Sequence, residues 1–143
     1  MNFLAINYPY YLTKSIGIDN NAELIDMATK RLSKIHPRPG ITFLNEDLLS
    51  DEFMELNDDD GGNLLGECTV VTMHFVTEGL NKIKPILEKK LSKDCRVVTI
   101  GYAMDGWEPG WSEVMLDLPI YLYNIHEQEF AMDFLKGDKN NES

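Results

Sequence analysis

The stretch SIGIDNNAELIDMATKRL, Ser15 to Leu32, constrains the fold more than any other part of the chain. A short apolar strand, Ile16-Gly17-Ile18, ends on an acid, Asp19, and a helical pattern follows at once. Asn20 or Asn21 is placed to cap that helix, and Asn20 with Glu23 has capping-box spacing. Leu24, Ile25, Ala28, Leu32 and Ile35 fall on one face at helical period. Lys30, Arg31 and Lys34 lie near the C-terminal end, where cations complement the helix dipole. Pro37, Pro39 and Gly40 stop the helix.

The same alternation continues downstream. Ile41 to Leu44 reads as a strand with Asn45-Glu46-Asp47 at its end, and Asp51 to Leu56 as a short helix. Asn57 to Gly62 is an acidic, glycine-containing loop, and Cys68 to Phe75 a strongly apolar strand. Leu80, Ile83, Leu87 and Leu91 form the stripe of a helix that ends near Lys93-Asp94. Pro85 interrupts that stripe, so the regular helix is expected to start close to the proline. Arg96 to Tyr102 is the next buried strand, Asp105 to Trp111 a Gly/Pro/Trp loop, and Pro119 to Ile125 a strand rich in Tyr and Ile. The polar tail, residues 136–143, is expected to be disordered.

Strands alternating with helices imply a largely parallel sheet with helices on both faces. The late strands have no helical pattern between them and predict an antiparallel C-terminal edge hairpin. The inward positions of these patterns give the expected core: Ile16, Ile18, Leu24, Ala28, Ile41 and Phe43 early in the chain, then Val70, Val71, Met73, Leu87, Val97, Val98 and Ile100.

Charge and cysteine usage narrow the partners. The net charge is -11, which disfavours a nucleic-acid partner, because such contacts need clustered Lys and Arg to displace counterions. Cys68 and Cys95 each open an apolar run, where a buried thiol fits, and form neither a CxxC nor a zinc spacing. A reducing, intracellular setting fits best, cytoplasmic by default. No apolar run reaches membrane-span length, and the N-terminus reads as neither a signal nor a transit peptide.

In an open α/β sheet, ligands sit outside the carboxyl ends of the strands. Four such ends carry chemistry: Asp19, Glu46-Asp47, His74-Phe75 and Tyr102-Ala103. Asp19 is placed to accept hydrogen bonds from both ribose hydroxyls of a nucleoside, with Asn20 beside it. Asp47 is placed to accept from an adenine amino group, with Leu48 near the ring. The blander role for Asp19 is a helix cap. His36 and His126 read as surface and structural residues, and His74 as a core or rim histidine twice as readily as a catalytic one. Asp58-Asp59-Asp60 lacks the glutamate that would complete a calcium loop, and no metal site is expected. Trp107 and Trp111 serve equally well as a pocket cover or as sheet packing.

IGIDNNAELIDMATKRL, ITFLNEDLL and CTVVTMHFVTEGLNKIKPILEKKLSKDCRVVTIGYAMDGWEP together resemble the body of a class I S-adenosylmethionine-dependent methyltransferase. KPILEKKL, RVVTIGYAMDGWEP and LPIYLYNI are similar to the small protein-lysine N-methyltransferases acting on ATP synthase c-subunits and the adenine nucleotide translocase. The resemblance spans roughly Ser15 to His126. It implies an α/β, Rossmann-like sheet, S-adenosylmethionine as cofactor, and a lysine-containing protein substrate, with a mitochondrial setting as one option. By position it implies Asp19 and Asn20 at the ribose, Asp47 and Leu48 at the adenine, and His74, within Thr72 to Phe75, at the methyl-transfer site. It assigns no catalytic base.

One departure is large. The family's first strand and glycine-rich loop, whose backbone lies against the methionine part of the cofactor, are not found ahead of Asp19. Met1 to Thr13 resembles the helix that follows that loop. The expected organisation is therefore a methyltransferase-like domain over residues 1–135, truncated at its N-terminus and with an incomplete sheet, followed by the tail. Two apolar strands are then expected to have unpaired edges. Two further readings remain: a non-catalytic methyltransferase-like fragment or interaction protein, and a nicotinamide oxidoreductase, against which the DGWEP and tyrosine-strand segments argue.

Overall fold

The computed structural model describes residues 14–35, 40–52 and 64–131, together with the backbone of residues 2–4. The chain divides into two compact units, residues 1–62 and 63–143. Each carries its own sheet.

In the first unit, β1 (Asn2–Leu4), β2 (Ser15–Asp19) and β3 (Ile41–Asn45) form a sheet in the order β1-β2-β3. β2 and β3 run parallel, and α1 (Ala22–Lys34) connects them. Asn21 caps α1, its side chain accepting from the N–H groups of Glu23 and Leu24, so the cap is Asn21 and not an Asn20–Glu23 box. Glu23 in the first turn and Arg31 and Lys34 in the last complement the dipole. Gly40, at a positive φ of 93°, turns the chain into β3, and its carbonyl accepts from the Ser15 N–H at 2.7 Å.

Two expectations are corrected here. Asn2–Leu4 is a strand antiparallel to β2, not part of a helix; residues 5–13 lie outside the described residues. The physical reason is the edge of β2, whose buried Ile16-Gly17-Ile18 segment needs its backbone groups paired, and Asn2–Leu4 pairs them. The β2 edge expected to be open is thus covered. Leu24 is not core but 36% exposed, because it lines an apolar groove of about 360 Å³ between α1 and β3 instead of sealing it.

In the second unit, α2 (Leu64–Glu67) leads into β4 (Val70–Met73), α3 (Thr77–Lys90) and β5 (Arg96–Ile100), with β4 and β5 parallel. The expected late antiparallel pairing is that of β5 with β7 (Leu118–Asn124), and β7 also forms an antiparallel hairpin with β6 (Trp111–Met115). The sheet order is β4-β5-β7-β6, so β4 and β6 are its edges. β6 is a strand that the sequence patterning does not announce. α3 starts at Thr77 and runs through Pro85, which corrects the expected start at the proline. Leu80, Ile83 and Leu87 are all buried, on both sides of the proline. That continuous apolar face holds the helix together across one missing N–H, while Pro85 itself faces solvent.

The core of this unit lies on one face of the sheet, where Val97, Thr99 and Tyr123 have no exposed surface. Cys95 is buried as expected, whereas Cys68 is only half-buried, and neither is in a disulfide. No helix among the described residues is long and apolar enough to cross a membrane. The expected helix after Glu52, the Asn57–Gly62 loop, His36 and the tail fall outside the described residues.

Candidate nucleoside-binding rim

The parallel pairing of β2 and β3 puts their carboxyl ends on one rim, with Asp19 directly opposite Asn45. Neighbouring strands lie about 4.8 Å apart, which sets the width of that rim. Two hydrogen bonds tie it together. The Asn45 side-chain amide and the Glu46 N–H both donate to the Asp19 carbonyl, each at 3.1 Å. The chain therefore reaches Asp47 one residue beyond a fixed point.

Asp19 is half-buried, and its Oδ1 accepts from the Asn21 N–H at 2.7 Å. This is an Asx turn, one step ahead of the helix cap that Asn21 supplies. Asp47 is exposed and closes a similar turn, its Oδ1 accepting from the Leu49 N–H at 3.0 Å while its carbonyl takes the Ser50 hydroxyl at 2.8 Å. Asn20 is exposed and Leu48 half-buried. Chemically, the rim offers carboxylate oxygens from two adjacent strands, and an ionised carboxylate only accepts hydrogen bonds. It suits a ligand rich in hydroxyl and amino donors with one flat apolar part.

A second rim belongs to the other unit, at the ends of β4 and β5. His74 and Phe75 leave β4, and Gly101 and Tyr102 leave β5. Gly101 has a φ of 88°, and a Cβ there would lie 3.4 Å from His74 Nε2, so the glycine lets the exposed imidazole sit close to the neighbouring strand end. The Gly101 N–H donates to the Pro119 carbonyl at 2.7 Å, anchoring this rim to β7.

Of the predicted site residues, Asp19, Asn20, Asp47 and Leu48 gather in the first unit, and His74 stands in the second. The following loop is held by groups that spacing could not reveal. Trp107 is buried, stacks on Phe130 and meets Tyr123 edge-on, and its indole N–H donates to Glu88 Oε1 at 2.9 Å. It therefore packs the core, whereas Trp111 is 46% exposed on β6. The Tyr123 hydroxyl accepts from the Met104 N–H at 2.8 Å. Gln128 is buried and clamps the Glu108 backbone on both sides, its Oε1 accepting from the N–H at 2.8 Å and its Nε2 donating to the carbonyl at 3.0 Å. A lone glutamine at the end of a strand gives no signal of such a clamp. Among the described residues, no three His, Cys, Asp or Glu side chains gather as a metal site.

No protein-family model matches the sequence. Over 126 residues the chain is 29% identical to a protein-lysine N-methyltransferase of Saccharolobus islandicus, covering 84% of this chain and 70% of that protein. An RNA methyltransferase from Salinibacter ruber, crystallised with S-adenosyl-L-homocysteine, shares the fold with a TM-score of 0.63 and 25% identity. That match covers 79% of this chain and 66% of the other, so the chain spans just under two thirds of that protein. A Haemophilus influenzae protein assigned as a methylase matches with a TM-score of 0.58 at 12% identity, over 79% of this chain and 67% of that one, and speaks for the fold alone.

Proposed function

We propose that this chain, which has the fold of the class I S-adenosylmethionine-dependent methyltransferases, transfers a methyl group from S-adenosylmethionine to the ε-amine of a lysine in a protein. The observation that carries this reading is the rim of Asp19 and Asp47 on neighbouring parallel strands, in a chain related to a protein-lysine N-methyltransferase. The net charge of -11 also favours a lysine-bearing acceptor over a phosphate backbone.

When bound, S-adenosylmethionine would supply an electrophilic methyl group on a sulfonium: the deprotonated lysine amine would bond to the methyl carbon as the carbon–sulfur bond breaks, leaving S-adenosylhomocysteine. The residues on the rim fit the adenosine half of that molecule. Asp19 accepts from the ribose hydroxyls beside Asn20, Asp47 accepts from the adenine amino group, and Leu48 covers the ring.

Titration calorimetry with S-adenosylhomocysteine tests the rim. Asp19→Ala should weaken binding by about 1.5–3 kcal/mol, the range for a hydrogen bond to a charged group. Unchanged affinity would leave Asp19 with its turn alone. Transfer of radiolabelled methyl groups to cell extract, followed by protease or ribonuclease digestion, identifies the acceptor. Label released by protease supports the lysine reading, and label released only by ribonuclease would move the acceptor to RNA.

A further inference from the structure

We propose that the free edge of β6, with the β6–β7 hairpin, docks an extended, cationic and apolar segment of a partner protein, which adds to the sheet as a further strand. In the setting of the proposed activity that partner is the lysine-bearing substrate, and to that extent the inference rests on the methyl-transfer reading.

β6 is the terminal strand of its sheet, and all five of its residues are exposed. Three of the five, Trp111, Val114 and Met115, are nonetheless large and apolar. Val114 is 67% exposed and Met115 52%, and Leu116 at the turn is 97% exposed. An exposed apolar edge strand is a template for pairing, and proteins that do not use one blunt it with lysine, proline or a bulge. β6 has none of these, its one charged residue being Glu113. The turn adds to the argument. Leu116 and Asp117 both hold positive φ, 50° and 64°, a conformation that glycine or asparagine would adopt at lower cost. A bulky apolar residue stands where it gains no burial and strains the backbone.

The register shows that the exposed surface is continuous. Trp111 pairs with Leu122 and Met115 with Leu118, so these four share a face, and Leu122 in turn faces Val98 of β5. That face is half-exposed or exposed throughout; on the opposite face Val97, Thr99 and Tyr123 are buried, but Ser112 and Val114 of β6 are exposed there too.

Charge selects the occupant. From Val97 to Leu135 the sequence contains no Lys or Arg. Of its seven acids, the six among the described residues, Asp105, Glu108, Glu113, Asp117, Glu127 and Glu129, are all exposed. A second copy pairing through β6 would set acid against acid with no cation to offset it, and like charges on paired strands are unfavourable. A segment alternating Lys with Val or Leu offers main-chain groups to the edge, ammonium groups to the face that carries Glu113 and apolar side chains to the face that carries Val114, which is the β-augmentation mode of recognition.

The test is fluorescence anisotropy of a labelled peptide alternating Lys with Val, about nine residues long to match an ordinary strand, and of its Glu-for-Lys analogue. The Lys peptide should bind in a salt-sensitive manner and the Glu analogue should not. Met115→Lys and Val114→Lys should each weaken Lys-peptide binding roughly tenfold or more, with unaltered circular dichroism and unaltered S-adenosylhomocysteine affinity. Equal binding of the two peptides, or wild-type binding by both variants, would overturn the proposal. So would a dimer in light scattering that Met115→Lys dissociates, since the edge would then belong to a second copy. If the Lys peptide binds but no S-adenosylhomocysteine does, the methyl-transfer reading fails and the docking edge stands.

Discussion

Two acids define what single residues contribute to this protein. Asp19 and Asp47 each fold their carboxylate onto a nearby backbone N–H, and each stands at the carboxyl end of a strand where a ligand would meet it. The Asx turns fix where the carboxylates stand. Cys95 shows the opposite situation, a reactive group removed from use. Burial pushes its thiol up to about 12, with Cys68 adding to the effect. Because the folded-state pKa is raised, the folded chain holds a proton that the unfolded chain releases first. That contribution to stability is complete below the ordinary thiol pKa of 9.0 and is lost as the pH rises through about 12. Iodoacetamide should therefore leave Cys95 unmodified at pH 8 while labelling it in urea, as peptide mapping would show. Labelling at equal rates in both conditions would mean that the thiol is open to solvent.

At the scale of elements, α3 and the β6–β7 hairpin each break a local rule. α3 carries Pro85 in its interior, where the ring removes one hydrogen bond, and it persists because Leu80, Ile83 and Leu87 stay buried on both sides. Pro85 is exposed, so no packing is lost when it is replaced. Pro85→Ala should raise stability by about 1–3 kcal/mol, up to the full difference in helix propensity. Urea denaturation would measure this, and a loss of stability would mean that the proline relieves a strain the helix otherwise carries. The hairpin breaks a rule without compensation inside the chain, which is why it is read as a binding edge. The loop between β5 and β6 owes its order to side chains from other elements, Glu88, Tyr123 and Gln128, each holding one point of its backbone or its tryptophan.

For the whole molecule, charge is the dominant long-range property. At -11 over 143 residues, self-repulsion opposes compaction. Raising sodium chloride from low to physiological ionic strength should screen that repulsion and raise the midpoint of thermal unfolding. A midpoint that falls with salt would mean that favourable ion pairs outweigh it. The sequence by itself determined the α/β class, the strand-acid-helix unit around Asp19, the parallel β2–β3 and β4–β5 pairs and the late strand β7. Apolar periodicity, caps and strand ends are local, and they are written in consecutive residues. Tertiary structure alone decided four other points: the pairing of Asn2–Leu4 with β2, the passage of α3 through Pro85, the exposure of Leu24 and the strand at Trp111–Met115. Each depends on which surface or backbone edge a segment meets. That is settled by distant residues competing for burial and for hydrogen-bond partners, and no local pattern records it.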